Sequence, residues 1–232
     1  MLGFDPLYFL LLSPAIVLGL YAQFKVHAAF AEARRHRSSS GLSGAAAAHD
    51  LLRSHGLSQV RIERTDGLLG DHYDPQTKTL RLSTDVYHGR SLASVGIAAH
   101  EVGHAIQDRT HYRPLRLRNG IVPLASVGPG LSIALILLGA VLQSLQLVLV
   151  GIVIYSTVVL FQLVNLPVEL DASRRACRIL VDCGIVVKNE LPEVRRVLNA
   201  AALTYVAATV SAIFTLLYFL LKAGLLGSRD ES

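Results

Sequence analysis

Four long apolar runs constrain this 232-residue chain more than any other feature of its sequence. They occupy residues 6–24, 121–142, 145–166 and 200–221, and a helix needs about 20 apolar residues to cross a bilayer. The composition agrees, since only 17% of the residues are charged, whereas a soluble domain usually carries about 25%. The sequence therefore predicts a mainly α membrane protein with four transmembrane helices.

The charges between these runs predict their orientation. Segment 25–118 holds fourteen Lys and Arg against nine Asp and Glu, and segment 167–199 holds six against five. Two such segments lie on one side if four helices cross the membrane, and Lys and Arg are enriched in cytoplasmic segments. We therefore predict a multi-pass protein of the inner (plasma) membrane with both polar segments in the cytoplasm. The basic residues follow the first run, which predicts an anchor and not a cleaved signal peptide.

The longer polar segment is predicted to form a small α+β domain. Residues 59–64 and 78–82 alternate between apolar and polar side chains, as half-exposed strands do. Turn-forming residues at 74–77 predict a β-hairpin that closes there. Ser91 is a suitable N-cap for a helix that runs to about Gln107. Because this helix begins with an apolar stretch, we expect it to be buried in the domain.

The predicted helix carries the motif H-E-x-x-H at residues 100–104. Two histidines four residues apart lie on one helix face, so His100 and His104 are able to bind one zinc ion. Glu101 projects about 100° away from His100, which suits a general base for a zinc-activated water better than a ligand. The alternative is a helix that carries these residues by coincidence.

A catalytic zinc usually has three protein ligands and one open position. Glu169 is the better candidate for the third, because it follows the third apolar run, where a carboxylate is costly unless it is paired or binds a metal. Alternatively, Glu169 pairs with Arg174 or Arg175 at the membrane interface. Asp171 points away from Glu169 on a helix, so it is expected behind the ligands or in a salt bridge. Other ligands that the chemistry allows are His72, His88 and His111.

Several runs of the sequence together form a recognisable pattern. They include D-H-Y-D-P at 71–75, A-A-H-E-V-G-H-A-I-Q at 98–107 and N-L-P-V-E-L-D-A-S-R-R-A at 165–176, with shorter runs at 82–83, 114–118 and 201–206. The pattern resembles the bacterial neutral zinc metallopeptidases, which are small integral membrane proteins with a cytoplasmic zinc motif. The wider resemblance is to gluzincin membrane peptidases, whose third ligand is the Glu of a Glu-x-x-x-Asp motif. Here Ser173 stands in place of that Asp, which leaves Asp171 as a candidate substitute.

The resemblance implies a zincin-like cytoplasmic domain and a metalloendopeptidase that cleaves peptide bonds at the membrane surface. Zn²⁺ bound by His100, His104 and Glu169 would activate a water, and Glu101 would act as the general base. Residues expected near the zinc or the oxyanion are Asp171, Asn165, Arg174 and Tyr112, with Tyr73 and His111 as further oxyanion candidates. The expected partners are a peptide or protein substrate, membrane proteins included, and the lipid bilayer. No pattern predicts nucleic-acid binding, and no oligomeric state is predicted.

Three other classes of protein fit the sequence less well. A site-2-type intramembrane protease carries H-E-x-x-H in a transmembrane helix, but the apolar stretch 92–99 is too short to span. A non-enzymatic scaffold or chaperone with a structural zinc would favour four closed ligands, and neither Cys177 nor Cys183 is well placed to be one. A transporter is disfavoured because the centres of the last three apolar runs contain no Asp, Glu, Lys, Arg or His.

Overall fold

The computed structural model describes residues 6–66 and 70–225. The mainly helical architecture predicted from the sequence is confirmed over these residues. The elements are, in chain order, α1 (Pro6–Arg35), α2 (Gly44–Ser54), β1 (Arg61–Thr65), β2 (His72–Asp74), β3 (Thr79–Ser83), α3 (Thr84–His88), α4 (Leu92–Arg109), α5 (Arg113–Val141), α6 (Leu145–Asp182) and α7 (Leu191–Lys222).

Within the described ranges, α1, α5, α6 and α7 are the four helices that are long and apolar enough to cross a membrane. Each continues beyond the apolar run predicted for it, and α6 is the longest with 38 residues. An apolar run marks only the part of a helix that lipid can cover, so the same helix extends where its polar residues meet protein or water. Pro167 lies inside α6 without ending it. Much of the polar segment 167–199 is therefore helical.

The chain divides into two compact units, and each of the four long helices contributes residues to both. The membrane unit comprises residues 6–21, 117–166 and 204–225 of the described chain. Within it, α5 and α6 are joined by residues 142–144, in agreement with the short connection in the sequence. Its large apolar side chains are often exposed, for example at Val127 and Val153. Such exposure is expected of helices whose surroundings are lipid.

The second unit comprises Ala22–Arg116 and Pro167–Leu203, and we call it the metal unit. Its strands form a three-stranded sheet in the order β1-β3-β2 among the described residues. β2 and β3 are antiparallel, and their hairpin closes at the turn predicted at residues 74–77. The strand predicted at residues 59–64 corresponds to β1, which is not part of this hairpin. β1 pairs with β3 in parallel. The sequence signal for β2 is weak because the strand is only three residues long.

α4 is the central helix of the metal unit. Ser91 caps its N-terminus by accepting a hydrogen bond from the backbone N–H of Ser94, as predicted. The helix ends at Arg109, two residues later than expected. The apolar core in which it is buried draws on α1, α2, β3, α6 and α7, with side chains such as Ala33, Leu51, Leu80, Leu180 and Val194. A helix buried on nearly every side holds its polar groups in fixed positions.

The segment after α1 ties the N-terminus of α4 to the rest of the metal unit. Arg37 and Ser91 form an isolated antiparallel bridge, and the backbone N–H of Leu92 donates to the carbonyl of His36. The hydroxyl of Ser38 donates to the carbonyl of Ile185 at 2.8 Å, between α6 and α7. These bonds fix the start of the helix that carries H-E-x-x-H.

Candidate metal centre

α4 and α6 bring three metal-ligating side chains together inside the metal unit. One nitrogen each of His100 and His104 and one oxygen of Glu169 all lie within 4.8 Å of one another. Glu169 Oε2 is 3.2 Å from His100 Nε2 and 3.5 Å from His104 Nε2. The two imidazole rings meet edge to face with centroids 4.8 Å apart. The structure thus groups the three residues that the sequence singled out as ligands.

Gly103, between the two histidines, permits α4 and α6 to approach closely. A Cβ at this position would lie 2.7 Å from the carbonyl oxygen of Ala172. That contact is with backbone, so it cannot be relieved by a side-chain rotation. Ala172 follows Glu169 on α6 by three residues, so the position of Gly103 bears directly on the distance between the histidines and the carboxylate.

The donor set of two imidazole nitrogens and one carboxylate oxygen fits zinc. Catalytic zinc sites commonly use two His and one Glu, and keep one position open for water or substrate. His104 and Glu169 are buried, and ionisable groups are rarely buried unless they are paired or coordinate a metal. The chemistry of the three donors and their convergence therefore agree with a bound zinc ion.

Each of the two histidines forms a hydrogen bond through Nδ1 to a second side chain. Ser173 Oγ lies 3.1 Å from His100 Nδ1, and Gln107 Oε1 lies 3.0 Å from His104 Nδ1. Both contacts use Nδ1, which leaves Nε2 of each ring directed toward Glu169. Such partners orient metal-binding histidines. The sequence pattern identifies Ser173 only as a departure from the gluzincin motif. It does not identify Gln107, although the i+3 spacing of Gln107 from His104 is a usable signal.

Asp171 lies behind the histidines and not among the three grouped residues. Its Oδ2 accepts hydrogen bonds from Gln107 Nε2 at 2.9 Å and from Arg175. Arg174 is 3.9 Å from the other oxygen of Asp171, and the Arg175 guanidinium lies 5.6 Å above the ring centre of Tyr112. The arginines that could have paired with Glu169 at the interface both pair with Asp171.

The remaining sequence candidates have other surroundings in the structure. Tyr73 donates its hydroxyl to Asp108 at 2.8 Å. Asn165 belongs to the membrane unit, and its buried side-chain oxygen has no hydrogen-bond partner among the described residues. The only metal-capable group of three or more side chains in the described ranges contains none of the other histidines considered above, namely His72, His88 and His111.

Glu101 lies near the middle of α4, between the two grouped histidines. Its side chain is buried with 7% exposure. Burial raises the pKa of Glu101 to about 7, and the negative charges of Glu169 and Asp71 add to this effect. The charge of His100 and the backbone N–H of Tyr73 act in the opposite direction. A carboxyl with a pKa near neutrality is able both to accept and to return a proton.

Comparison with known proteins agrees with these observations. Residues 8–224 match the model of a family described as "Putative neutral zinc metallopeptidase". A Bacillus subtilis (strain 168) protein named "Putative membrane protease YugP" is 43% identical over 226 residues, which cover 97% of this chain and 100% of that protein. No solved structure gives a significant match. The chain is therefore a membrane protein that belongs to the family described as "putative neutral zinc metallopeptidase".

Proposed function

We propose that this protein is a zinc metalloendopeptidase that hydrolyses peptide bonds in a peptide or protein substrate. The observation that carries the proposal is the convergence of His100, His104 and Glu169 beside Glu101, a buried carboxyl that is not a member of that group. Membership of the family and the similarity to a named membrane protease support the same activity.

The residues of the centre have two separate roles in the proposed hydrolysis, metal binding and proton transfer. His100, His104 and Glu169 would hold a zinc ion, which when bound polarises the substrate carbonyl and activates a water. Glu101 accepts a proton from the attacking water while the water oxygen bonds to the carbonyl carbon of the substrate. When the carbon–nitrogen bond breaks, Glu101 returns that proton to the leaving amine. The raised pKa of Glu101 suits both transfers near neutral pH.

We also propose that the metal unit forms a zincin-like domain on the cytoplasmic side of the inner (plasma) membrane. The excess of Lys and Arg in segment 25–118 supports this side. Two observations support the zincin-like assignment. The helix with H-E-x-x-H packs in one unit with a small mixed sheet, and that sheet contains an antiparallel hairpin. Substrates at the membrane surface, including parts of membrane proteins, would then be within reach of the centre.

Two competing functions make different demands on α4. In a scaffold with a structural zinc, Glu101 would be an unused buried carboxyl, and burying an ionisable group without a use is costly. In a site-2-type intramembrane protease, α4 would cross the bilayer, but this 18-residue helix is not among the spanning candidates in the described residues and lies within the metal unit. Both observations favour a peptidase at the membrane surface.

The test separates zinc binding from catalysis in the purified full-length protein. Glu101→Gln is expected to keep about one zinc per chain and to lose at least about 100-fold in peptide cleavage, because the general base is removed and the ligands stay. His104→Ala is the matched variant and should lose both zinc and cleavage. Cleavage by Glu101→Gln at the wild-type rate would contradict the enzyme assignment. A wild-type protein that holds zinc without cleaving any peptide library would favour the scaffold.

A further inference from the structure

Gln107 is a fully buried amide side chain that contacts a grouped histidine, and both polar atoms of its amide have partners. It lies on α4 one turn after His104 and is 0% exposed. Its oxygen Oε1 is 3.0 Å from His104 Nδ1. Its nitrogen Nε2 donates to the carbonyl of Val168 at 2.8 Å and to Asp171 Oδ2 at 2.9 Å.

These partners permit only one orientation of the amide. The Val168 carbonyl and the Asp171 carboxylate accept hydrogen bonds and cannot donate them. The amide nitrogen must therefore face α6, and Oε1 must face His104. Because an amide oxygen only accepts, the proton of the contact between Gln107 and His104 belongs to His104 Nδ1. The lone pair of the neutral ring is then on Nε2. A neutral ring that instead donated from Nε2 to the Glu169 carboxylate, 3.5 Å away, would lose its hydrogen bond to Gln107.

The two groups that accept hydrogen bonds from Gln107 are themselves fixed in position. Arg175 donates to the same oxygen of Asp171 that receives the Gln107 amide. The guanidinium of Arg175 also lies over the ring of Tyr112 at 5.6 Å. The second acceptor, the Val168 carbonyl, is backbone of α6. Two acceptors on α6 therefore fix the orientation of the Gln107 amide, namely the Asp171 carboxylate and the Val168 carbonyl.

His100 provides a contrast within the same centre. Its Nδ1 contacts the hydroxyl of Ser173 at 3.1 Å, and a hydroxyl both donates and accepts. The contact with Ser173 is therefore compatible with either neutral form of His100. The contact with Gln107 is compatible with only one neutral form of His104.

We propose that Gln107 is a positioning residue that fixes His104 in its Nδ1-protonated tautomer and so keeps Nε2 available as a metal donor. The consequence for zinc affinity rests on the proposed function, whereas the tautomer is a property of the metal-free chain. Changes to such outer partners of metal-binding histidines typically weaken metal affinity by about 10- to 100-fold.

The test compares two substitutions of similar size in full-length protein labelled with ¹⁵N-histidine. Gln107→Met fills the space without any hydrogen bond. Gln107→Glu keeps an acceptor for His104 Nδ1 and is expected to share a proton with Asp171 at the place where the amide nitrogen donates. Ile106→Val, at the neighbouring buried position of α4, is the control for altered packing. The ring-nitrogen signals of His104, identified by their loss in His104→Asn, are recorded without metal at a pH where imidazole is neutral. Zinc affinity is measured by competition with a chelator.

In wild type, Gln107→Glu and Ile106→Val, we expect His104 to be protonated at Nδ1 alone. In Gln107→Met, we expect both tautomers and a zinc affinity lower by about 10- to 100-fold. Because the wild-type spectrum alone tests the tautomer, the proposal stays falsifiable if Gln107→Met does not fold. Protonation of wild-type His104 at Nε2 would overturn the proposal.

A Gln107→Met protein with a single Nδ1-protonated tautomer and wild-type zinc affinity would also overturn the proposal. So would Ile106→Val changing the tautomer or the zinc affinity as much as Gln107→Met does, because packing would then explain the effect. If the wild-type protein binds no zinc, the proposed function fails, but the tautomer measurement still decides the role of Gln107.

Discussion

α4 and α6 build one candidate centre in different ways. α4 is an 18-residue helix buried on nearly every side, and it supplies His100, Glu101 and His104 within five residues. α6 is 38 residues long and passes from the membrane unit into the metal unit at Pro167. It supplies Glu169, the Ser173 hydroxyl beside His100, and the two acceptors that orient Gln107. The chemistry of α4 is therefore local in sequence, whereas that of α6 depends on its placement against α4.

The largest effect is expected from the carboxylates of α6. Glu169→Ala should weaken zinc binding at least about 100-fold, because it removes one of the three grouped donors. Asp171→Ala should weaken it by only about 10-fold, because Asp171 acts through Gln107 and that amide keeps its bond to the Val168 carbonyl. Chelator competition on the two purified variants measures both effects. The reverse order would move the third ligand to Asp171.

The spacing between the two helices is tested at Gly103. Gly103→Ala should lower stability by about 1–3 kcal/mol and reduce zinc affinity, because the added Cβ forces α4 away from the backbone of α6. Gly96→Ala is the matched control on the same helix, since its Cβ would meet only the side chain of Val194 at 2.9 Å. Thermal unfolding and zinc titration of both variants distinguish them. Equal zinc affinities of the two variants would show that the close approach at Gly103 is not needed. Stability alone does not decide, because Gly96→Ala must also displace the Val194 side chain.

The burial of Glu101 in α4 should make stability depend on pH. Its pKa is about 7 in the folded chain and about 4.3 when unfolded, so the folded state binds more protons between these values. Stability of the metal-free protein should therefore fall as pH rises through this window. Glu101→Gln removes this dependence, and should be more stable than wild type by about 1–3 kcal/mol at pH 8 but not at pH 4. Thermal unfolding at both pH values decides, and a constant difference would contradict the assignment.

The smallest effect is expected at Ser173. Ser173→Ala should lower zinc affinity only a few-fold, because a water is able to replace the neutral hydroxyl beside His100. Ser173→Asp restores the gluzincin pattern, and its charge should strengthen the hydrogen bond to His100 Nδ1 and raise zinc affinity by a similar factor. Zinc titration of the pair provides the measurement. A loss of affinity in Ser173→Asp as large as in Glu169→Ala would contradict this role.

The contrast between α4 and α6 also explains what the sequence could predict. H-E-x-x-H and the Ser91 cap are readable because helical periodicity places neighbours in sequence on one face. Glu169 was found because a carboxylate at the end of an apolar run is unusual. The link from Gln107 to Asp171 was not predicted, because it depends on how two helices align and joins residues 64 positions apart in the sequence. The parallel pairing of β1 with β3 was not predicted either, because it also depends on tertiary packing. β2 lies between these strands in sequence, but in the sheet it pairs with the other edge of β3.

The route of the chain through the two units has a consequence for biosynthesis. Glu169 is translated only after α5 and the apolar part of α6 have been made. A nascent chain that ends soon after α4 carries both histidines and Glu101 but has neither Glu169 nor the partners on α6. We therefore expect the proposed peptidase activity to arise only in molecules in which α5 and the apolar part of α6 have already been synthesised. Incomplete chains released into the cytoplasm should be unable to degrade the proteins around them.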